Sequence, residues 1–308
     1  MRVMDVLVCT SKDQTAWRDA LAARLPAARV HAGPDAPPCD YAVLWKPPGD
    51  LFAHQPRLKA MFSLGAGVNG LLAMQELPRD VPLVRMEGAG MGPQMVEYAL
   101  HAALRELRGF GGYADAQAAA CWNPGHARAR RDLTVGVLGL GVLGGAVACA
   151  LADFGFDVVG WSRTPRTLEG VDCLHGNDGL DAVLGRSRLL VMCLPLTPDT
   201  DTLLDATRLA RLPAGAAIVN IARGELIDDA ALLTALDAGH IGAAYLDVFR
   251  DEPLPPSHPY WRHPRVIVTP HIAALTDVHA ACDQVADKIR CLEAGLPISG
   301  VVERDRGY

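Results

Sequence analysis

Residues 135–145 read V-G-V-L-G-L-G-V-L-G-G, and no other stretch restricts the fold of this chain so tightly. Glycines 139, 141 and 144 stand in G-x-G-x-x-G spacing, after an apolar run of strand character and before one of helix character. Gly139 permits the tight turn, Gly141 lets a pyrophosphate approach the backbone, and Gly144 lets the helix pack closely on the strand. Val142 and Leu143 open that helix, whose unpaired N–H groups and positive dipole end favour an anion. The spacing alone is weak, because glycine turns are common. Its strand–turn–helix setting is what predicts a dinucleotide-binding βαβ unit.

The next strand bears on which dinucleotide. Where the ribose carries a free 2′-hydroxyl, an acid ~20 residues further on accepts its hydrogen bond. Here the strand over 157–161 runs into Ser162-Arg163-Thr164-Pro165-Arg166, with no acid at its end. Asp157 stands at the wrong end of the strand and Glu169 lies beyond Pro165. A 2′-phosphate is repelled by a carboxylate and held well by the planar fork of an arginine. Arg163, with Ser162 and Thr164 as donors, therefore predicts NADP(H); the alternative is that Arg163 and Arg166 are ordinary solvated loop charges.

The chain has 308 residues, too many for one core and comfortable for two. A net charge of -6 argues against a nucleic-acid partner, and the short basic run 128–131 reads as a solvated loop. No run approaches the ~20 apolar residues of a membrane span, and residues 1–10 lack the form of a signal peptide. A cytoplasmic protein is expected. Eight cysteines are scattered without a C-x-x-C pair, which predicts neither a metal site nor disulfides. Nine histidines (31, 54, 101, 126, 175, 240, 258, 263 and 279) share no metal-ligand spacing.

Apolar runs predict strands over 3–9, 41–45, 59–64 and 83–86 in an N-terminal region, with a helix over 13–25. A Gly/Pro cluster at 90–93 ends that region, and a helix follows over 94–107. After the loop at 122–125 comes a second alternation. Its strands are 134–139, 157–161, 189–194, 216–221, 243–248 and 266–269, and its helices are 142–154 and 228–238. Continuous apolar strands mean a sheet covered on both faces, hence a parallel, doubly wound α/β arrangement. Periodicity alone does not assign the last helix, 277–293, to either region.

Three polar segments follow successive strands: N-I-A-R-G-E with Arg223, L-D-V-F-R-D-E-P with Asp247 and Glu252, and T-P-H-I-A-A with His271. Ligands bind at the carboxyl ends of the strands in such sheets. Reduction of a 2-keto acid by hydride transfer needs such groups. A permanent cation binds the carboxylate and carbonyl oxygen, and an imidazole supplies a proton to the developing alkoxide. A carboxylate hydrogen-bonded to that imidazole fixes its orientation and favours its protonated form. Taken singly, each residue also reads as an ordinary loop charge, cap or loop histidine; their coincidence at three strand ends is the signal.

The run G-L-G-V-L-G, then Leu194-Pro195-Leu-Thr-Pro198, the segments 220–228 and 247–254, and Pro270-His-Ile-Ala-Ala274 together resemble the D-isomer-specific 2-hydroxyacid dehydrogenases, over essentially the whole chain. Within that family, Trp161-Ser-Arg163, the segments 64–68 and 90–98 and the terminal Arg-Gly-Tyr308 resemble the bacterial glyoxylate/hydroxypyruvate reductases. The resemblance implies a Rossmann nucleotide domain (93–274) inserted into a flavodoxin-like substrate domain (1–92 and 275–308). It implies that Arg223 binds substrate, that His271 donates the proton and that Glu252 orients it. Leu194, Pro195 and Ala222 are expected to line the cofactor. Asp247 is expected beside the nicotinamide carboxamide, although a strand-end cap is the other reading. The backbone of Ala66, Gly67 and Val68 is expected to bind the substrate carboxylate, and Trp45 to close on a small substrate unless it is simply a core aromatic. Ala273-Ala274 replaces the more frequent Gly-Gly and narrows the expected pocket. A homodimer through the helix after Pro93 is implied too.

Two alternatives stay open at this level. One is a bulkier 2-keto acid as substrate, since pocket size is not legible in sequence. The other is a non-catalytic nucleotide-sensing regulator of the same fold.

Overall fold

The computed structural model describes residues 2–11, 13–125 and 128–308, so His126 lies outside the described residues. The chain forms two compact units, residues 1–91 with 275–308, and 92–274.

In the first unit the order is β1 (Met4–Thr10), α1 (Gln14–Arg24), β2 (Ala28–Ala32), β3 (Tyr41–Trp45), β4 (Ala60–Ser63), α2 (Asn69–Leu72) and β5 (Leu83–Val84). These strands make a parallel sheet in the order β2-β1-β3-β4-β5, the flavodoxin-like arrangement. Val6, Leu7, Val8, Ala42 and Leu44 are fully buried, as continuous apolar strands in a covered sheet require.

The second unit begins at the second residue of α3 (Met91–Arg108), which α4 (Phe110–Ala118) follows. It continues with β6 (Val135–Leu138), α5 (Val142–Asp153), β7 (Val158–Ser162), β8 (Val171–His175), α6 (Gly176–Arg186) and β9 (Leu189–Met192). It ends with α7 (Ala206–Leu209), β10 (Ala216–Asn220), α8 (Asp229–Asp237), β11 (Ile241–Leu246) and β12 (Val266–Val268). The seven-stranded sheet runs β12-β11-β10-β9-β6-β7-β8, all pairs parallel. This is the Rossmann order with one added edge strand, and its topology reverses between β6 and β9.

Alternation along each strand divides its side chains between the two faces. Ile218 and Leu246 pack in one apolar cluster with Leu180, Leu184 and Leu232 of α6 and α8. Val219 and Tyr245 pack in the other with Ala99 and Ala103 of α3 and Val147 and Leu151 of α5. Both faces are thus covered by helices, which is why the central strands read as unbroken apolar runs.

The chain then returns to the first unit as α9 (Val278–Glu293), where Arg290 Nη2 donates to the Arg24 carbonyl at 2.6 Å and Arg24 Nε contacts Asp283 at 2.5 Å. Two strands escape the apolar-run reading, β2 (A-R-V-H-A) and β8 (V-D-C-L-H). Both are sheet edges, half-exposed along their length, so they alternate rather than run apolar. Helix α4 also escapes it, because it buries no residue.

Candidate active site

The glycine turn lies where the sheet reverses. Gly139 has φ 98°, and a Cβ there would stand 2.7 Å from the Cys193 carbonyl oxygen at the end of β9. A Cβ on Gly144 would come within 1.8 Å of the Gly139 carbonyl oxygen, so α5 approaches the turn too closely for any side chain. At Gly141 the result is opposite: a Cβ would meet nothing within 4 Å. Gly141 is the N-cap of α5 and has no side-chain cap. The first N–H groups of α5 thus have no side-chain cap from Gly141, which suits an anion. Val142 is 56% exposed, whereas Gly144 is buried under the turn.

Across the reversal point, Leu194 is buried and Pro195 half-buried. Their loop is closed by Thr200, whose hydroxyl donates to the Pro195 carbonyl at 2.7 Å. Burial pushes the Cys193 thiol up to about 12, so it acts as a small apolar residue under the turn. At the end of β7, Ser162 Oγ donates to the Thr164 carbonyl at 2.8 Å, shaping a short loop from which Arg163 and Thr164 project into solvent. No carboxylate side chain stands between Ser162 and Leu168.

The three catalytic candidates sit at the carboxyl ends of neighbouring strands β10, β11 and β12. Arg223 follows β10 in a turn clamped by buried Asn220, whose Nδ2 donates to the Arg223 carbonyl at 2.8 Å while its Oδ1 accepts from the N–H of buried Ala222. The Arg223 guanidinium donates to the Ala222 carbonyl at 2.6 Å. Burial pulls the Arg223 pKa down, against the charges of Glu225 and Glu252, which favour the cation. The Arg223 and Glu252 loops are packed backbone to backbone: a Cβ on Gly224 would stand 2.0 Å from the Phe249 carbonyl carbon. Arg250 reinforces the join, its Nη2 donating to the Glu225 carbonyl and to Thr202 Oγ1, each at 2.8 Å.

His271 Nδ1 lies 2.8 Å from Glu252 Oε2. Burial pushes Glu252 up, but the bonds from His271 and the Phe249 N–H, with the charges of His271 and Arg223, leave its carboxyl below the ordinary glutamate value. An ionised carboxylate is an acceptor only, so Nδ1 carries the proton in that bond and Nε2 is the nitrogen left for a substrate. The side chains are 42% and 30% exposed, which leaves the pair open to a ligand. His271 itself has φ 55°, a left-handed conformation costing ~1–3 kcal/mol for a residue with a Cβ. Its N–H donates to the Asp247 carbonyl at 2.8 Å and to the Thr269 carbonyl at 3.1 Å, which holds the conformation.

Asp247 is buried, and its carboxylate accepts from Thr269 Oγ1 (2.6 Å) and the N–H groups of Ile272 and Ala273 (both 2.8 Å). Three of its roughly four acceptor positions are thereby taken by the His271 loop. The strand-end cap expected as one of two readings of Asp247 is present, with one lone pair of Oδ2 left over.

In the first unit, Ala66, Gly67 and Val68 form the turn after β4, with Val68 buried and the other two half-exposed. Gly65 before them is required by Trp45: a Cβ there would stand 2.4 Å from the indole Cζ3. Trp45 is half-buried, neither a core residue nor free of the turn. Thr276 Oγ1 donates to the Leu64 carbonyl at 2.7 Å and fixes the base of the turn. Among the described residues no group of three or more His, Cys, Asp or Glu is placed to hold a metal ion.

Asn220, Thr269 and Arg250 take part in this site although sequence reasoning assigned them no role. A polar residue closing an apolar strand is the signal that finds Asn220. Thr269 and Arg250 stand inside motifs but are revealed only by their bonds.

A nucleotide-binding turn with an Arg/Glu/His set on adjacent strand ends defines a Rossmann-type oxidoreductase, and the family follows from comparison with known proteins. The chain belongs to the D-isomer specific 2-hydroxyacid dehydrogenases, whose NAD-binding-domain model matches residues 100–273. Glyoxylate/hydroxypyruvate reductase A of Serratia proteamaculans (strain 568) is 45% identical over 299 residues, 95% of this chain and 96% of that protein. The crystal structure of a family member from Xanthobacter autotrophicus Py2, in complex with NADPH and MES, superposes with a TM-score of 0.95 at 42% identity and covers 100% of both chains. The NADPH-dependent glyoxylate/hydroxypyruvate reductase of Sinorhizobium meliloti, in complex with NADP and sulfate, gives 0.93 at 39% identity over 99% of this chain and 100% of that one.

Proposed function

We propose that this protein is an NADPH-dependent reductase of small 2-keto acids, converting glyoxylate to glycolate and hydroxypyruvate to D-glycerate. The observation that carries the reading is the 2.8 Å bond between His271 Nδ1 and Glu252, beside the cationic Arg223. The names of relatives 43–45% identical over 95% of the chain support the substrates. The open face of Gly141, the uncapped start of α5 and the exposed Arg163 on an acid-free loop fit a dinucleotide with a 2′-phosphate.

Bound NADPH supplies the hydride. Arg223 binds the substrate carboxylate and carbonyl oxygen, so negative charge developing on that oxygen meets a fixed cation. His271, held through Nδ1 by Glu252, gives the Nε2 proton to the same oxygen. Burial of Arg223 strengthens its pull, because a charge in a low-dielectric setting acts further than one in water. The 66–68 turn would present N–H groups to the substrate carboxylate, and Trp45 would limit the size of the group attached to the keto carbon.

The reading includes a homodimer. Helix α4 buries no residue in the single chain, and Phe110, Tyr113 and Trp122 are 46%, 40% and 96% exposed around it. It also includes a cytoplasmic location, for which the scatter of eight cysteines without a C-x-x-C pair is the support. Among the described residues no helix is long and apolar enough to cross a membrane.

NADPH oxidation measured across a panel of 2-keto acids, with light scattering on the same sample, tests the whole. Glyoxylate and hydroxypyruvate are expected to be turned over best. His271→Ala is expected to lower kcat by ~10²–10⁴, the worth of general acid catalysis. Near-normal turnover in that variant removes His271 from the mechanism. Tight NADPH binding without turnover of any keto acid by the wild type rejects the enzyme in favour of a sensor.

A further inference from the structure

The loop carrying His271 is held by a chain of hydroxyl groups that the reduction chemistry does not use. Tyr98, on α3, has its hydroxyl 2.8 Å from Thr269 Oγ1, across 171 residues of sequence. Thr269 Oγ1 donates to Asp247 Oδ1 at 2.6 Å. A threonine hydroxyl has one proton. With that proton committed to Asp247, the Tyr98 hydroxyl must be the donor in its own bond to Thr269. Burial also pushes Tyr98 above the ordinary tyrosine value, which keeps its proton in place.

Beyond Asp247 the chain ends on backbone. The carboxylate accepts from the N–H groups of Ile272 and Ala273, and the Asp247 carbonyl accepts from the His271 N–H, each at 2.8 Å. Three consecutive amides, including that of a left-handed histidine, are therefore fixed from one residue. A histidine stays at positive φ only where its surroundings over-determine it. The outer end of the chain is accessible, since Tyr98 lines a groove of about 210 Å³ with Gln94, Glu97, Ile272 and Ala273.

We infer that Tyr98 and Thr269 are positioning residues for His271, acting through Asp247 to aim the imidazole that Glu252 holds from the other side. The kinetic consequence rests on the reductase reading; the lock on residues 271–273 does not. Neither side chain is bonded to the side chains of the Glu252–His271 pair, since the two hydroxyls bond each other and Asp247, so their effect falls on orientation rather than on proton affinity or substrate binding.

The test uses Tyr98→Phe and Thr269→Val, both close to isosteric, with Thr269→Ser as the rescuing variant and the Tyr98→Phe/Thr269→Val double. Misplacement of a reacting group by about 1 Å costs up to ~10²-fold, and a loosened loop keeps part of its alignment, so kcat is expected to fall ~10-fold in Thr269→Val and ~3- to 10-fold in Tyr98→Phe. KM for the keto acid and Kd for NADPH should stay within about twofold, because Arg223 and the glycine turn are untouched. Thr269→Ser should restore kcat, and the double variant should be no slower than Thr269→Val, since one broken link already opens the chain. Hydrogen exchange at the amides of 271–273 should speed up ~10-fold in both single variants and nowhere else in the unit. Unchanged kcat overturns the inference, as does a loss of kcat without faster exchange or a loss that falls on NADPH binding. A wild type that reduces no keto acid rejects the reductase reading instead, and exchange alone then upholds or rejects the lock.

Discussion

Alanine at Gly144 and alanine at Gly141 are the same chemical change three residues apart, yet the structure requires opposite consequences. At Gly144 the new Cβ would lie 1.8 Å from the Gly139 carbonyl oxygen and 2.8 Å from Cys193 Cβ. The first obstacle is backbone, so no rotamer relieves it and α5 must move away from the turn. Overpacking of this kind costs ~1–3 kcal/mol and occasionally more, and a contact this short with backbone belongs at the upper end. At ~2–4 °C per kcal/mol for a unit of this size, Gly144→Ala should lower Tm by ~6–12 °C. At Gly141 nothing stands within 4 Å, and φ is -75°. The unfolded chain loses entropy and the N-cap loses a little preference, so the net change in stability should stay within ~1 kcal/mol. The cost appears in binding, because the methyl group occupies the space a pyrophosphate needs. Losing one or two charge-assisted hydrogen bonds of ~1.5–3 kcal/mol each weakens NADPH by ~10-fold or more. Thermal unfolding without nucleotide and fluorescence titration with NADPH separate the two effects. If Gly141→Ala binds NADPH like wild type, or Gly144→Ala melts with it, the roles assigned to these glycines are wrong.

Other perturbations test separate parts of the account. Glu252→Gln keeps the shape of the His271 contact but removes the charge; kcat should fall ~10- to 100-fold with KM nearly unchanged, read from steady-state NADPH oxidation. Arg163→Ala should weaken NADPH and leave NADH unaffected, shifting the ratio of kcat/KM between them by ~10-fold or more; equal losses for both would disprove a 2′-phosphate contact. In the first unit Lys288 Nζ, with its side chain 9% exposed, is held by Glu87 Oε2 at 2.9 Å. Burial raises the Glu87 pKa, but bonds from Ser299 and Lys288 and the charges of Lys288 and Arg85 bring it below the ordinary value. A lowered folded pKa stabilises above the unfolded glutamate pKa, and that contribution is lost as pH falls through the folded one. Glu87→Gln should therefore cost ~1–3 kcal/mol near pH 7, with the gap to wild type closing below about pH 4 in urea unfolding.

Most of the fold was legible because its strands are covered on both faces, and burial on two sides writes itself as unbroken apolar residues such as L-L-V-M in β9. The edge strands β2 and β8 broke that rule and were missed for the same reason. Helix α4 was missed because it offers no buried face to set a period. The site was legible where chemistry sits at a strand end: glycines 139, 141 and 144 and the Arg223, Glu252 and His271 positions follow from local pattern.

What the linear chain determined was therefore the kind of residue at each strand end and the turn that starts α5. Tertiary structure alone decided which of them meet. It set His271 Nδ1 against Glu252, packed Gly224 on the Phe249 backbone, and made Asp247 the anchor of the loop that carries His271. It also joined Tyr98 to Thr269. Local propensity acts over a few residues, whereas these contacts depend on the order and spacing of strands in the folded sheet. No pattern within a single segment encodes that.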